Sequence, residues 1–139
     1  MILVDTSVLI DWMKNTNTAQ TDLLNIIIER RIPYGISAYT YMETLQGIRN
    51  EHDYKKVQAY LSSLRIYYLP EDINKYDKSA KLYARLRRQG VTPRSAIDIL
   101  IALTAIENNL SLLHSDKDFD TMAEKIPELK ILSTELPYV

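Results

Sequence analysis

Four acids stand where carboxylates are uncommon: Asp5 closes a short apolar run, Asp98 interrupts a long one, Asp116 follows another, and Glu43 lies in a mostly apolar segment. Asp98 is the most informative, because Ile97, Ile99, Leu100, Ile101 and Leu103 surround it and the next charge is Glu107. A carboxylate in such a setting needs a partner. On a helix its neighbours would be Arg94, Ser95, Ile101 and Ala102, so Arg94 is the ordinary ion-pair alternative to a metal or catalytic role. Several carboxylates gathered in a partly buried pocket cannot all stay ionised unless a cation offsets their repulsion. Oxygen donors without thiolates or paired imidazoles suit Mg²⁺ or Mn²⁺. Such an ion can hold a phosphate oxygen and activate a water, so phosphodiester hydrolysis is the natural chemistry.

Each acid also has a plainer reading. Asp5 and Asp116 could cap the helices that follow them, Glu43 could be a surface residue, and Asp118 and Asp120 continue the acid-rich turn beyond Asp116. His114 is a candidate general base or a structural strand-end histidine.

The elements that must position these groups alternate. Ile2 to Val4 reads as a buried parallel strand, and Asp5-Thr6-Ser7 as a strand end passing into a short helix through Trp12. A helix over Thr18 to Arg31 stops at Pro33, Tyr34 to Ile36 is a second strand, and Ser37 caps a helix carrying Glu43 to about Ile48. Asp53 opens the next helix, Ile66 to Leu69 is the third strand, and a long helix from Ile73 to Gln89 ends at Gly90. Ser95 or a neighbour caps the apolar helix from Ala96 to about Asn108. Leu110 to His114 and Lys130 to Leu132 are the last strands. Residues 1–139 are expected to form a single α/β domain with a doubly wound, mainly parallel five-stranded sheet and helices on both faces. Sites in such sheets collect beyond the carboxyl ends of the strands, where strand order reverses.

Composition excludes several functions. With no cysteine there is no disulfide, thiolate metal site or thiol chemistry. Three glycines without a phosphate-loop or dinucleotide fingerprint leave no nucleotide cradle. No stretch is apolar enough to span a membrane, and the start Met1-Ile2-Leu3-Val4-Asp5 lacks a basic leader, so a cytoplasmic protein is expected. A net charge of −1 supplies no global attraction for a polyanion. Local phosphate contacts are expected instead from Arg85, Arg87, Arg88 and Arg94, which bracket the turn before the Asp98 helix. Ten tyrosines suit half-wet surfaces, whether a protein groove or base stacking.

The segments DTSVLIDW from Asp5, YMETLQG around Glu43 and SAIDILIALTAIENNLSLLHSDKDFD across Asp98 and Asp116 together resemble the PIN domain, most of all the VapC-type toxins of bacterial and archaeal toxin–antitoxin pairs. The resemblance covers essentially the whole chain. It implies a Mg²⁺- or Mn²⁺-dependent endoribonuclease, usually a homodimer, blocked by a cognate antitoxin. It carries catalytic and metal-binding roles onto Asp5, Glu43, Asp98 and Asp116, the metal resting chiefly on Asp5, Asp98 and Asp116, with Thr6 as a supporting hydroxyl and Asp118 able to share or replace the role of Asp116, since the fourth acid is the family's most variable. Ser7 stands where many relatives have asparagine. Two other readings compete: a degenerate PIN-like module that holds RNA or protein without cutting, and an aspartyl-phosphate phosphoryl-transfer domain. The second would place another aspartate at Ser7 or a lysine at a late strand end, and the sequence has neither.

Overall fold

The computed structural model describes residues 1–135; the last four residues of the expected 1–139 domain lie outside them. Five strands, β1 (Ile2–Val4), β2 (Tyr34–Ser37), β3 (Arg65–Tyr67), β4 (Ser111–Leu113) and β5 (Lys130–Ile131), form one sheet in the order β3-β2-β1-β4-β5. All four pairings are parallel. The sequence order reverses between β1 and β4, which is the switch point expected of a doubly wound sheet.

Period-two alternation in β1 sends Leu3 to one face of the sheet and Ile2 and Val4 to the other, each into its own core. On one side Ile2, Val4 and Ile36 pack with Val8 and Leu9 of α1 (Thr6–Met13), Leu23, Leu24 and Ile27 of α2 (Ala19–Glu29), Leu45 of α3 (Ala38–Gln46) and Leu61 of α4 (Glu51–Ser62). On the other, Leu3 and Leu112 meet Leu86 of α5 (Ile73–Arg88), Ile99, Ile101, Ala102 and Ala105 of α6 (Ala96–Glu107), and Phe119 and Met122 of α7 (Lys117–Lys125). A strand buried on both faces explains why β1 is apolar throughout.

Each of the seven helices among the described residues starts at an Asp, Asn, Ser or Thr whose side chain accepts an amide of the first turn. α4 begins at Glu51, two residues before the expected Asp53, because Asn50 accepts from both the His52 and Asp53 amides. Gly90 follows α5 with φ +79°, a conformation that suits glycine, so the helix stops there. Gly35 serves close approach: a Cβ there would lie 2.5 Å from the Arg65 carbonyl oxygen and 2.7 Å from the Tyr67 ring. Among the described residues no helix is long and apolar enough to cross a membrane.

Candidate functional site

Asp5 leaves the carboxyl end of β1 and is only 4% exposed. It is the N-cap of α1: its Oδ2 accepts from the Ser7 amide (3.0 Å) and the Ser7 hydroxyl (2.6 Å). Burial pushes its carboxyl above the usual carboxylate range; the Ser7 bonds pull the other way, and Glu43 adds repulsion. Capping and membership of the acidic group therefore coexist in one residue. The Ser7 hydroxyl also accepts from the Ser115 amide (2.9 Å), tying the loop after β1 to the loop after β4.

Thr6 lies on the first turn of α1 and donates through its hydroxyl to Glu43 Oε1 (2.8 Å), while contacting the Thr40 hydroxyl (3.2 Å). Thr40 is held in turn by Ser37, the N-cap of α3. The buried hydroxyls of Ser37, Thr40 and Thr6 thus form a row ending on the Glu43 carboxylate. Glu43 is half-buried, so the surface reading of it fails in the direction its apolar neighbours suggest.

Asp98 projects from the first turn of α6, just after the cap Ser95. Its carboxyl is pushed up to about 7, first by burial, then by the charges of Asp5, Asp116, Glu43 and Asp118. Acids from three other stretches of chain thus act on this one group. Arg94 is not its partner: it precedes the helix cap, so helical spacing does not apply, and its guanidinium reaches Asp116 Oδ1 (3.7 Å) and Asp118 Oδ2 (3.5 Å) instead.

Asp116 caps α7 by accepting from the Asp118 amide (2.9 Å). One carboxylate oxygen from each of Asp98, Asp116 and Asp118 lies within 4.8 Å of the others. The tight group therefore includes both candidates for the fourth acid, with Asp5 and Glu43 close enough to repel Asp98. All five donors are hard carboxylate oxygens, a set that fits Mg²⁺ or Mn²⁺ and offers nothing to a soft ion.

The other arginines are distributed differently. Arg85, Arg87 and Arg88 fill the last turn of α5, where positive charge complements the helix dipole. Arg85 donates to the Lys125 carbonyl (2.6 Å) and Arg87 lies over the Tyr83 ring (5.8 Å). Among the described residues none of these three pairs with a carboxylate; Arg94 alone of the four reaches the acids. Thr40 and Ser115 complete the site without having stood out in the sequence. For Thr40 the only signal is a hydroxyl three residues after a capping serine, and for Ser115 there is none, because its contribution is a backbone amide.

The profile of the PIN domain family matches residues 2–125. The chain is 31% identical over 124 residues to ribonuclease VapC1 of Methanocaldococcus jannaschii, covering 88% of this chain and 82% of that protein. It is 28% identical over 124 residues to VapC ribonuclease Mb1587 of Mycobacterium bovis, covering 88% and 92%. Among solved structures, DNA-bound VapBC from Salmonella typhimurium matches with a TM-score of 0.70 at 25% identity, over 96% of this chain and 97% of that one.

Proposed function

Since the chain belongs to the PIN domain family, we propose that it is a cytoplasmic, Mg²⁺- or Mn²⁺-dependent endoribonuclease, the toxin of a toxin–antitoxin pair, acting as a homodimer and held in check by a cognate antitoxin. The ribonuclease names of its relatives support the activity. The observation that carries the site is the Asp98 carboxyl, raised to about 7 by burial and by Asp5, Asp116, Glu43 and Asp118. Such mutual repulsion is relieved when a divalent cation binds.

A bound ion would supply Lewis-acid charge to a phosphate oxygen and activate water for attack. This chain's residues do the rest. Asp98, Asp116 and Asp118 offer oxygens that would hold the ion, with Asp5, fixed by Ser7, at the carboxyl end of the central strand. Thr6 occupies Glu43 Oε1, so Oε2 is the atom left to take a proton from the attacking water. In-line attack on phosphorus breaks the bond to the 3′ oxygen, which takes up the proton released by the attacking water, leaving a 5′-phosphate and a 3′-hydroxyl. Arg94 lies beside the acids to hold a substrate phosphate, and Arg85, Arg87 and Arg88 extend the grip along the RNA.

Cleavage of RNA by the full chain in Mg²⁺ or Mn²⁺ tests the reading. Asp5→Asn and Asp98→Asn should abolish it without unfolding the protein, and EDTA should stop the wild type. Full activity in either variant, or activity that survives chelation, sinks the proposal.

A further inference from the structure

The turn after β4 and the first turn of α7 carry two of the three clustered carboxylates, and side chains pin their amides in succession: Ser7 takes that of Ser115, His114 that of Asp116, and Asp116 that of Asp118. The middle link is the unusual one. His114 is 6% exposed, and its Nδ1 accepts the Asp116 amide at 3.1 Å. A nitrogen that accepts carries no proton, so the neutral ring bears its proton on Nε2, which faces Asp120 Oδ1 at 3.0 Å. The ring also packs on Phe119, centroid to centroid 5.2 Å. His114 at the end of β4 is thus clamped by residues of α7's first turns, with the Asp116 turn closed between them.

We propose that His114 is a positioning residue of the acidic site: its unprotonated Nδ1 fixes the Asp116 amide and so holds the turn that brings the Asp116 and Asp118 carboxylates up to Asp98. The inference rests on the reading that these carboxylates hold a divalent ion. Three like charges within 4.8 Å push the turn outward. Arg94 opposes this only weakly, because its side chain is 81% exposed and solvent screens it. A buried acceptor with both ring nitrogens engaged opposes it in a fixed geometry. The same engagement leaves neither nitrogen free to take a proton from water, so His114 works through Asp116 and not on the substrate.

Outer-shell partners of metal ligands typically change affinity about tenfold or more when removed. Mn²⁺ titration of the full chain by calorimetry is the test. His114→Leu keeps an apolar side chain but removes the acceptor, and should bind Mn²⁺ about tenfold more weakly. His114→Asn can accept the amide two residues on, as asparagine does in turns, and should recover most of the affinity. Wild-type affinity in His114→Leu, or an Asn variant no better than Leu, overturns the proposal. Should His114→Leu not fold, the exposed Asp120 decides: Asp120→Ala frees the ring and should weaken binding, Asp120→Asn should not, and equal affinities overturn the proposal. A wild type that takes up no Mn²⁺ removes the metal reading and this inference with it, whereas a wild type that binds while His114→Leu is unchanged removes the inference alone.

Discussion

Arg94 Nε lies 3.5 Å from Asp118 Oδ2, and its Nη2 lies 3.7 Å from Asp116 Oδ1, so an internal cation already neighbours two of the carboxylates proposed to hold a metal ion. Guanidinium and a divalent ion would then compete for the same oxygens. Arg94→Ala should tighten Mg²⁺ binding about threefold, in keeping with the modest worth of an exposed pair. It should also weaken RNA binding at low salt. Calorimetry reads the first effect and a salt series the second; looser Mg²⁺ binding would show that Arg94 props the acids in place.

Asp98 gives the metal-free protein a pH dependence of definite sign. Folding pushes its carboxyl up from the ordinary 3.8 to about 7, by burial and the neighbouring acids. Between those values the folded chain holds a proton that the unfolded chain has released, so stability falls as pH rises through the window and levels off above it. Asp98→Asn should lack this slope. It should be more stable than the wild type by about 1–2 kcal/mol at a pH of about 8, a value reduced for the solvent that reaches a half-buried carboxyl. Urea unfolding in EDTA at pH of about 5 and about 8 checks this, and parallel curves for the two proteins would refute it.

Thr6 and Glu43 are joined by a 2.8 Å hydrogen bond between separate helices. Thr6→Val should lower RNA cleavage about tenfold at a cost of about 1 kcal/mol in stability, while Thr6→Ser keeps the donor and most of the rate. Single-turnover cleavage alongside thermal melts separates the two effects. Equal rates for Val and Thr would leave the hydroxyl with a purely structural role.

Gly35 has backbone against it at the β2–β3 pairing. The clash involves the Arg65 carbonyl as well as the Tyr67 ring, so a rotamer change cannot relieve it. Gly35→Ala should cost about 2 kcal/mol or more in denaturant unfolding. A loss below about 0.5 kcal/mol would mean that the edge strand β3 shifts freely.

What the sequence disclosed follows from what is local. Asp98 stands out because a helix buried on most sides has no ordinary use for a carboxylate, and Asp5 because a strand end and a helix cap coincide there. The strand order was legible in class, since apolar strands alternating with helices admit few arrangements. The membership of Asp118 in the tight group was not: the Ser7 hydroxyl that accepts the Ser115 amide and the Arg94 guanidinium beside Asp118 both arrive from other segments. Arg94 was misplaced for a related reason, because helical spacing presumes a helix and Ser95 starts it one residue too late. The arginines of α5 form a cluster in sequence, yet the helix end accounts for their spacing and only Arg94 faces the acids.

The seam between β1 and β4 divides the chemistry of the chain. Asp5, Thr6 and Glu43 come from the segment that ends with β3, whereas Asp98, Asp116 and Asp118 come from the segment that begins with α5, and β1 pairs directly with β4 where the two meet. The second segment carries the three clustered carboxylates, and Asp5, Thr6 and Glu43 come to them from the first. Cut between β3 and α5, the chain would become two complementary halves, and the five acids would meet again only if the halves rejoined through the β1–β4 pairing, the Ser7 bridge to Ser115 and the packing of Leu3 against α5 and α6.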